Sequence, residues 1–288
     1  MVDYLIALST VALAWWLSTG IVLLLNRQQP LVRNLSLLAV TLGTFAGLTF
    51  VPAVGEIRTA TGALLGFAQG LLFWAWLEAT YLMGLITGPR KTACPTDASS
   101  GRRFLLGIAT SLYHEISVVL MFLMLWILSA DSPNRVALIT YTALWLMRWS
   151  AKLNLFLGVR NYNSHWFPEH LQHLDTYTRR STLNPLFPLS VTLGTAAAVA
   201  PLAIALISVD PYVRSANLLV SALLMFAVLE HWFLMFPFGE SALWSWALQN
   251  DEGKERKEGI SKTLLNDDVP PRKATVHRLR TGQVVTKT

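Results

Sequence analysis

Seven ionisable side chains interrupt apolar stretches of this 288-residue chain: Glu78, His114, Glu115, Arg148, Lys152, Glu230 and His231. Arg148 and Lys152 lie four residues apart in LWLMRWSAKLNLFLGVRN (144–161), so about one turn of helix sets both cations on the same face. A lone cation at the centre of a membrane helix costs roughly 2.5–3.5 kcal/mol, so two in one span require partners. Three carboxylates and two histidines elsewhere can supply them. Such a set supports two kinds of chemistry. Paired, the charges fix which helix faces which; with one acid in excess, the surplus is neutralised by a proton or a histidinium, as in a proton or substrate site.

His114-Glu115 and Glu230-His231 are adjacent pairs, and helical neighbours point about 100° apart, so each pair can face one interior without meeting at one atom. A neutral membrane histidine can ligate a metal, including the magnesium of a chlorin, or bond a neighbouring helix. His165, His170 and His173 near Glu169 form a second, interfacial group whose spacing suits a surface helix as well as a metal. Trp15, Trp16, Trp74, Trp76, Trp145 and Trp149 sit inside apolar runs rather than at their ends, where they either line a flat ligand or pack against neighbours.

The elements that must position these groups are membrane helices. With 53% hydrophobic and 14% charged residues, the chain has too few charges to cover a water-soluble globule. An all-α polytopic membrane domain over 1–249 is expected, with seven spans at about 4–25, 35–54, 60–86, 104–128, 136–157, 186–208 and 213–236. The first run lacks a basic leader and reads as a retained helix. Gly88-Pro89 is the expected stop of the third span. Counted back from the helix ends at 1.5 Å per residue, Glu78, Glu115, Arg148, Lys152 and Glu230 lie at roughly 12, 17, 13, 8 and 9 Å, one depth band shared by the third, fourth, fifth and seventh spans.

Of the 23 Lys and Arg, 18 follow odd-numbered spans, including nine in the tail, whereas only Arg58, Arg135 and Arg214 lie in the alternate loops. The N-terminus is therefore expected outside and the tail cytoplasmic. The net charge of +6 is accounted for by these loops, so no nucleic-acid partner is needed. Residues 168–180 read as an amphipathic helix on the cytoplasmic interface, and 250–288 as a charged tail without apolar periodicity.

Gly43 and Gly47 in the second span, and Gly62, Gly66 and Gly70 in the third, repeat every four residues and strip side chains from one stripe; the simplest partners are these two spans for each other. The single Cys94 excludes an internal disulfide, and no zinc or cluster framework is present. No phosphate-binding GxxxxGK[ST], GxGxxG, HExxH or GxSxG motif occurs, so no catalytic residue and no metal site are assigned.

The segments WWLSTGIVLLLNRQ (15–28), LITGPRKTACP (85–95), LYHEISVV (112–119), LMRWSAKLNLFLGVRN (146–161), PEHLQHLDTYTRR (168–180) and NPLFPLSVT (184–192) occur in collinear order. Over roughly residues 1–240 the chain resembles the photosynthetic complex assembly protein 2 family, PuhE, of anoxygenic phototrophic bacteria. The resemblance implies a multi-pass protein of the cytoplasmic or intracytoplasmic photosynthetic membrane. It implies a role in assembling reaction-centre and light-harvesting complexes and in bacteriochlorophyll supply, with their subunits or other assembly factors as partners. It brings no catalytic residues. Two functions therefore stand: an assembly factor that holds bacteriochlorophyll or an apoprotein helix, and a transporter or membrane enzyme of pigment metabolism that works through the charged layer.

Overall fold

The computed structural model describes residues 2–162, 168–182 and 184–236, with Leu243 and Trp246; His165 and the 250–288 tail lie outside the described residues. The helices are α1 (Val2–Asn26), α2 (Pro30–Thr49), α3 (Val51–Gly55), α4 (Ala60–Leu82), α5 (Ser100–Thr110), α6 (Leu112–Leu128), α7 (Val136–Leu157), α8 (Leu186–Ile207) and α9 (Pro211–Met235), with a 3-10 helix at Glu169–Tyr177. Among the described residues there is no strand, only an isolated bridge between Val159 and Arg180.

Five helices, α1, α2, α4, α8 and α9, are long and apolar enough to cross a bilayer, and the bent pair α5 and α6 makes a sixth if counted as one span. The chain is a multi-pass helical membrane protein. The 22-residue α7 is not among the five, because Arg148, Lys152 and Asn154 dilute its apolar run.

Local chemistry moves several expected boundaries. The second span starts earlier than residue 35, since Pro30 fits the first turn where no N–H is required, and stops at Thr49 rather than 54. Pro52 sits in the first turn of α3, where no N–H is required, and cannot donate back to the last turn of α2, so the two helices separate at Phe50. The third span ends at Leu82, not 86: Gly84 adopts φ +80 and donates to the Tyr81 carbonyl at 3.0 Å, while Leu85 donates to Thr80 at 2.9 Å. This left-handed glycine terminates α4. The Gly88-Pro89 pair does not.

Gly88 serves another purpose. The expected span 104–128 is broken at Ser111, where α5 and α6 meet at 64°. The freed backbone is satisfied by the loop after α4: His114 N–H donates to Thr87 O at 3.0 Å and Arg90 N–H to Ala109 O at 3.3 Å. A Cβ on Gly88 would strike the Ala109 carbonyl and lie 2.8 Å from Ser111 N, so only glycine allows the loop to approach this closely.

α4 touches α1, α2, α3, α6, α7 and α9. It joins two cores, one around Phe67, Ala222 and Leu223 and one around Phe73, Leu77, Leu125 and Tyr141. The apolar window of α9 is 56% buried and that of α1 only 11%, so α9 is an inner helix and α1 a peripheral one. The glycine stripe of α4 faces α7 rather than α2. A Cβ on Gly66 would lie 3.2 Å from Val136 Cβ, and one on Gly70 2.7 Å from Thr140 Cβ. Gly62 packs under its own preceding turn at Ile57. Of these glycines only Gly47 packs α2 on α4, against Phe73 and Leu72, and Gly43 has nothing within 4 Å.

The loops sort to two ends. At one, Asn134 donates to the carbonyls of Val54, Ile57 and Gly62 at 3.1, 3.2 and 2.8 Å, Tyr212 hydroxyl donates to Asn134 Oδ1 at 3.3 Å, and Arg58 pairs with Asp210 at 2.7 Å. The hydrogen bond from Arg58 holds the Asp210 carboxyl below its ordinary range. Asn134 is buried, so Asn134→Ala is expected to cost roughly 1–3 kcal/mol by stranding carbonyls. A thermal scan in detergent that leaves this variant equal to wild type contradicts that role.

At the other end the 3-10 helix buries Leu171 and Tyr177. Cys94 N–H donates to Thr176 Oγ1 at 2.8 Å and Tyr177 hydroxyl to Thr92 O at 2.8 Å. The expected amphipathic helix 168–180 is thus shorter, tighter and clamped onto the loop before α5.

Candidate functional site

α7 carries the site. Its face toward α4 and α6 presents Arg148 and Lys152 one turn apart, as the spacing requires. Arg148 Nη2 lies 3.1 Å from Glu78 Oε2 on α4. Lys152 makes an ion pair with Glu115, in the first turn of α6. Lys152 also donates to Ser111 Oγ at 3.4 Å, and its ammonium lies 5.7 Å from the centre of the Tyr81 ring. The break at Ser111 is what brings the start of α6, and with it Glu115, to the level of Lys152.

Two expected members of the layer go elsewhere. Glu230 accepts a hydrogen bond from Trp15 Nε1 of α1 and sits on the exposed side of α9. His231, its neighbour, points inward and is buried, as the 100° step demands. Its Nδ1 donates to Ala227 O at 2.8 Å, because a carbonyl only accepts, and its Nε2 then accepts from Ser150 Oγ at 2.9 Å. Both ring nitrogens are committed, so His231 ties α9 to α7 and has none left for a metal. His114 is 1% exposed, tilted at 45° to the Tyr81 ring with centroids 4.7 Å apart, and its Nδ1 makes no hydrogen bond among the described residues. Among the described residues no three His, Cys, Asp or Glu cluster closely enough to hold a metal ion.

The half-buried tryptophans pack on aromatic neighbours: Trp15 on Phe226 at 5.4 Å, Trp74 on Tyr141 at 5.6 Å and Trp145 on Phe122 at 5.3 Å. Sequence reasoning that counted only ionisable groups passed over Ser111, Ser150 and Asn154, which donates to Ser190 Oγ at 2.9 Å and links α7 to α8. The signal was present: Asn154 lies two residues beyond Lys152 in an apolar run.

Two cavities flank α7. The smaller, about 170 Å³, lies under the 3-10 helix and is walled by Arg148, Lys152, Glu115, Ser111, Tyr81 and Tyr162, among others. The larger, about 810 Å³, is an almost wholly apolar groove running from Leu138 to Leu153 against α8. Trp149 and Leu153, one turn apart, line both.

A family model described as "Protein of unknown function (DUF3623)" matches residues 1–255. The chain belongs to the DUF3623 family. It is similar to the "Uncharacterized 30.4 kDa protein in puhA 5'region" of Rhodobacter capsulatus, 32% identical over 253 residues that cover 86% of this chain and 92% of that one. No solved structure matches. All of the charged and histidine positions described above fall inside the DUF3623 match.

Proposed function

We propose that this DUF3623 protein is an integral membrane assembly factor for the photosynthetic reaction-centre and light-harvesting complexes, handling bacteriochlorophyll or apoprotein helices without catalysing a reaction. The observation that carries this is the relative of similar length named for the puhA 5' region, which agrees with the resemblance to the photosynthetic complex assembly protein 2 family. The charged layer supports a structural rather than a catalytic use, since Glu78 and Glu115 each hold a cation of α7.

The finer topology belongs to the same proposal. α7 crosses although it is less apolar than the other five, its cations neutralised by α4 and α6, and α5 with α6 forms one bent span, giving seven. Outside the tail, nine Lys and Arg lie at the end that holds the 3-10 helix and three at the other, which supports an external N-terminus and a cytoplasmic tail. The protein would then reside in the cytoplasmic or intracytoplasmic photosynthetic membrane.

Deletion of the gene in a phototroph that carries it tests the function. The expected result is a several-fold loss of reaction-centre and light-harvesting absorption in membranes, restored by a plasmid copy, with no new pigment species in solvent extracts. Normal complexes in the deletion strain remove the proposal. A pigment precursor accumulating in place of bacteriochlorophyll favours the transporter or enzyme instead.

A further inference from the structure

Independently of the assembly role, we infer that the cavity under the 3-10 helix and the groove along α7 form one site for an amphipathic anion, a long-chain carboxylate or phosphate monoester. Its head oxygens would meet Lys152 and Arg148, and its chain would lie along α7 and α8.

The head half rests on a surplus of donors. A guanidinium carries five N–H donors and an ammonium three. Arg148 spends one contact on Glu78, and its Nε is buried without an acceptor among the described residues. Trp149 Nε1, on the same wall, is likewise buried without one. The cavity wall holds two cations and one carboxylate, Glu115, because Glu78 stands behind Arg148 and does not line it. Each cation is already answered by a carboxylate, so what faces about 170 Å³ of space, enough for a headgroup and too little for a whole lipid, is the set of N–H donors that those pairs leave unspent. Charge-assisted bonds to an anionic oxygen are the strong response to that arrangement, and a neutral hydroxyl is a weak one.

The tail half rests on continuity. Trp149 and Leu153 line both cavities, so only these two side chains stand between the charged cavity and the apolar groove. From Lys152 back to Ile139, the groove follows thirteen residues of α7, about 20 Å at 1.5 Å per residue, comparable with an extended long acyl chain. Its direction is also right: the head would sit near the helix end, roughly 8 Å from it, and the chain would run toward the middle of the span.

The test is equilibrium binding to the full-length, delipidated protein in nonionic detergent, with oleate, oleyl phosphate, oleyl alcohol, acetate and inorganic phosphate as probes. Oleate and oleyl phosphate are expected to bind saturably, one molecule per chain, at least about tenfold more tightly than oleyl alcohol. Acetate and inorganic phosphate are expected to bind far more weakly than either. The double variant Arg148→Met with Glu78→Gln removes a complete ion pair, keeps Lys152 paired with Glu115 and takes away the guanidinium donors without changing the net charge. It is expected to lower oleate affinity by about tenfold. Ala197→Trp fills the exposed groove lining without touching a charge, and should weaken oleate while leaving inorganic phosphate unchanged. Oleyl alcohol binding as tightly as oleate overturns the inference in favour of a generic apolar groove. Inorganic phosphate matching oleate overturns it in favour of a small-anion site, and wild-type affinity in both variants, or no binding of any probe, overturns it outright.

Discussion

Arg148→Leu is expected to destabilise the protein by roughly 3–5 kcal/mol, the usual consequence of removing one partner from a buried ion pair. Arg148 is the cation that Glu78 faces at 3.1 Å, and the other carboxylate oxygen, Glu78 Oε1, is buried with no hydrogen bond among the described residues. Without Arg148 the acid loses its contact cation, and Lys152, one turn away, is already committed to Glu115. Removing Glu78 as well, in Arg148→Leu with Glu78→Leu, is expected to recover most of the loss, because two apolar side chains of similar volume replace a desolvated pair. Glu115→Gln and Glu230→Gln should give no rescue, since Glu115 answers Lys152 and Glu230 is held by Trp15. Chemical denaturation followed by tryptophan fluorescence in micelles reads all four variants. Rescue by Glu230→Gln rather than Glu78→Leu contradicts the pairing.

Gly70→Leu is expected to be at least as damaging, and for a steric reason. A Cβ at this position would lie 2.7 Å from Thr140 Cβ and 2.8 Å from the Ala137 carbonyl, and a main-chain oxygen in the middle of a helix cannot step aside. The α4 and α7 backbones must separate. Overpacking costs roughly 1–3 kcal/mol when side chains can give way, and this contact sits at the upper end or beyond. The same separation would pull Arg148 away from Glu78, so the two effects compound rather than add. Gly43→Leu, with nothing within 4 Å, is the matched control and should melt with wild type. Equal melting of Gly70→Leu and Gly43→Leu would show that the α4–α7 contact is loose.

Long apolar runs made most of the helices legible, because no other backbone satisfies its polar groups in lipid. Their ends were less so. Gly84 and Gly88 both follow the apolar run of α4, and only the backbone angle at Gly84 and the crowding around Gly88 distinguish a helix stop from a close approach. Ser111 gave no sequence signal for a break, since the bend is maintained by a loop that returns from α4.

Depth along a helix was legible for the charged layer, but rotation about the axis was not. Glu78, Glu115, Arg148 and Lys152 share a band and meet; Glu230 shares the band and turns outward to Trp15. A four-residue glycine repeat likewise reveals a bare stripe without naming the helix that fills it, which is why α4 turned out to face α7. His231 could not be assigned until Ala227 and Ser150 were seen to occupy both of its nitrogens.

The central claim, that this DUF3623 protein acts by holding components of the photosynthetic apparatus rather than by turning over a substrate, is tested most directly by its company in the membrane. Tagged protein purified in mild detergent from phototrophically grown cells, with its absorption spectrum recorded and its companions identified by mass spectrometry, is predicted to carry reaction-centre or light-harvesting subunits or another assembly factor, enriched over a tagged unrelated membrane protein. Preparations with no such enrichment that instead convert or transport an added pigment precursor would contradict the account.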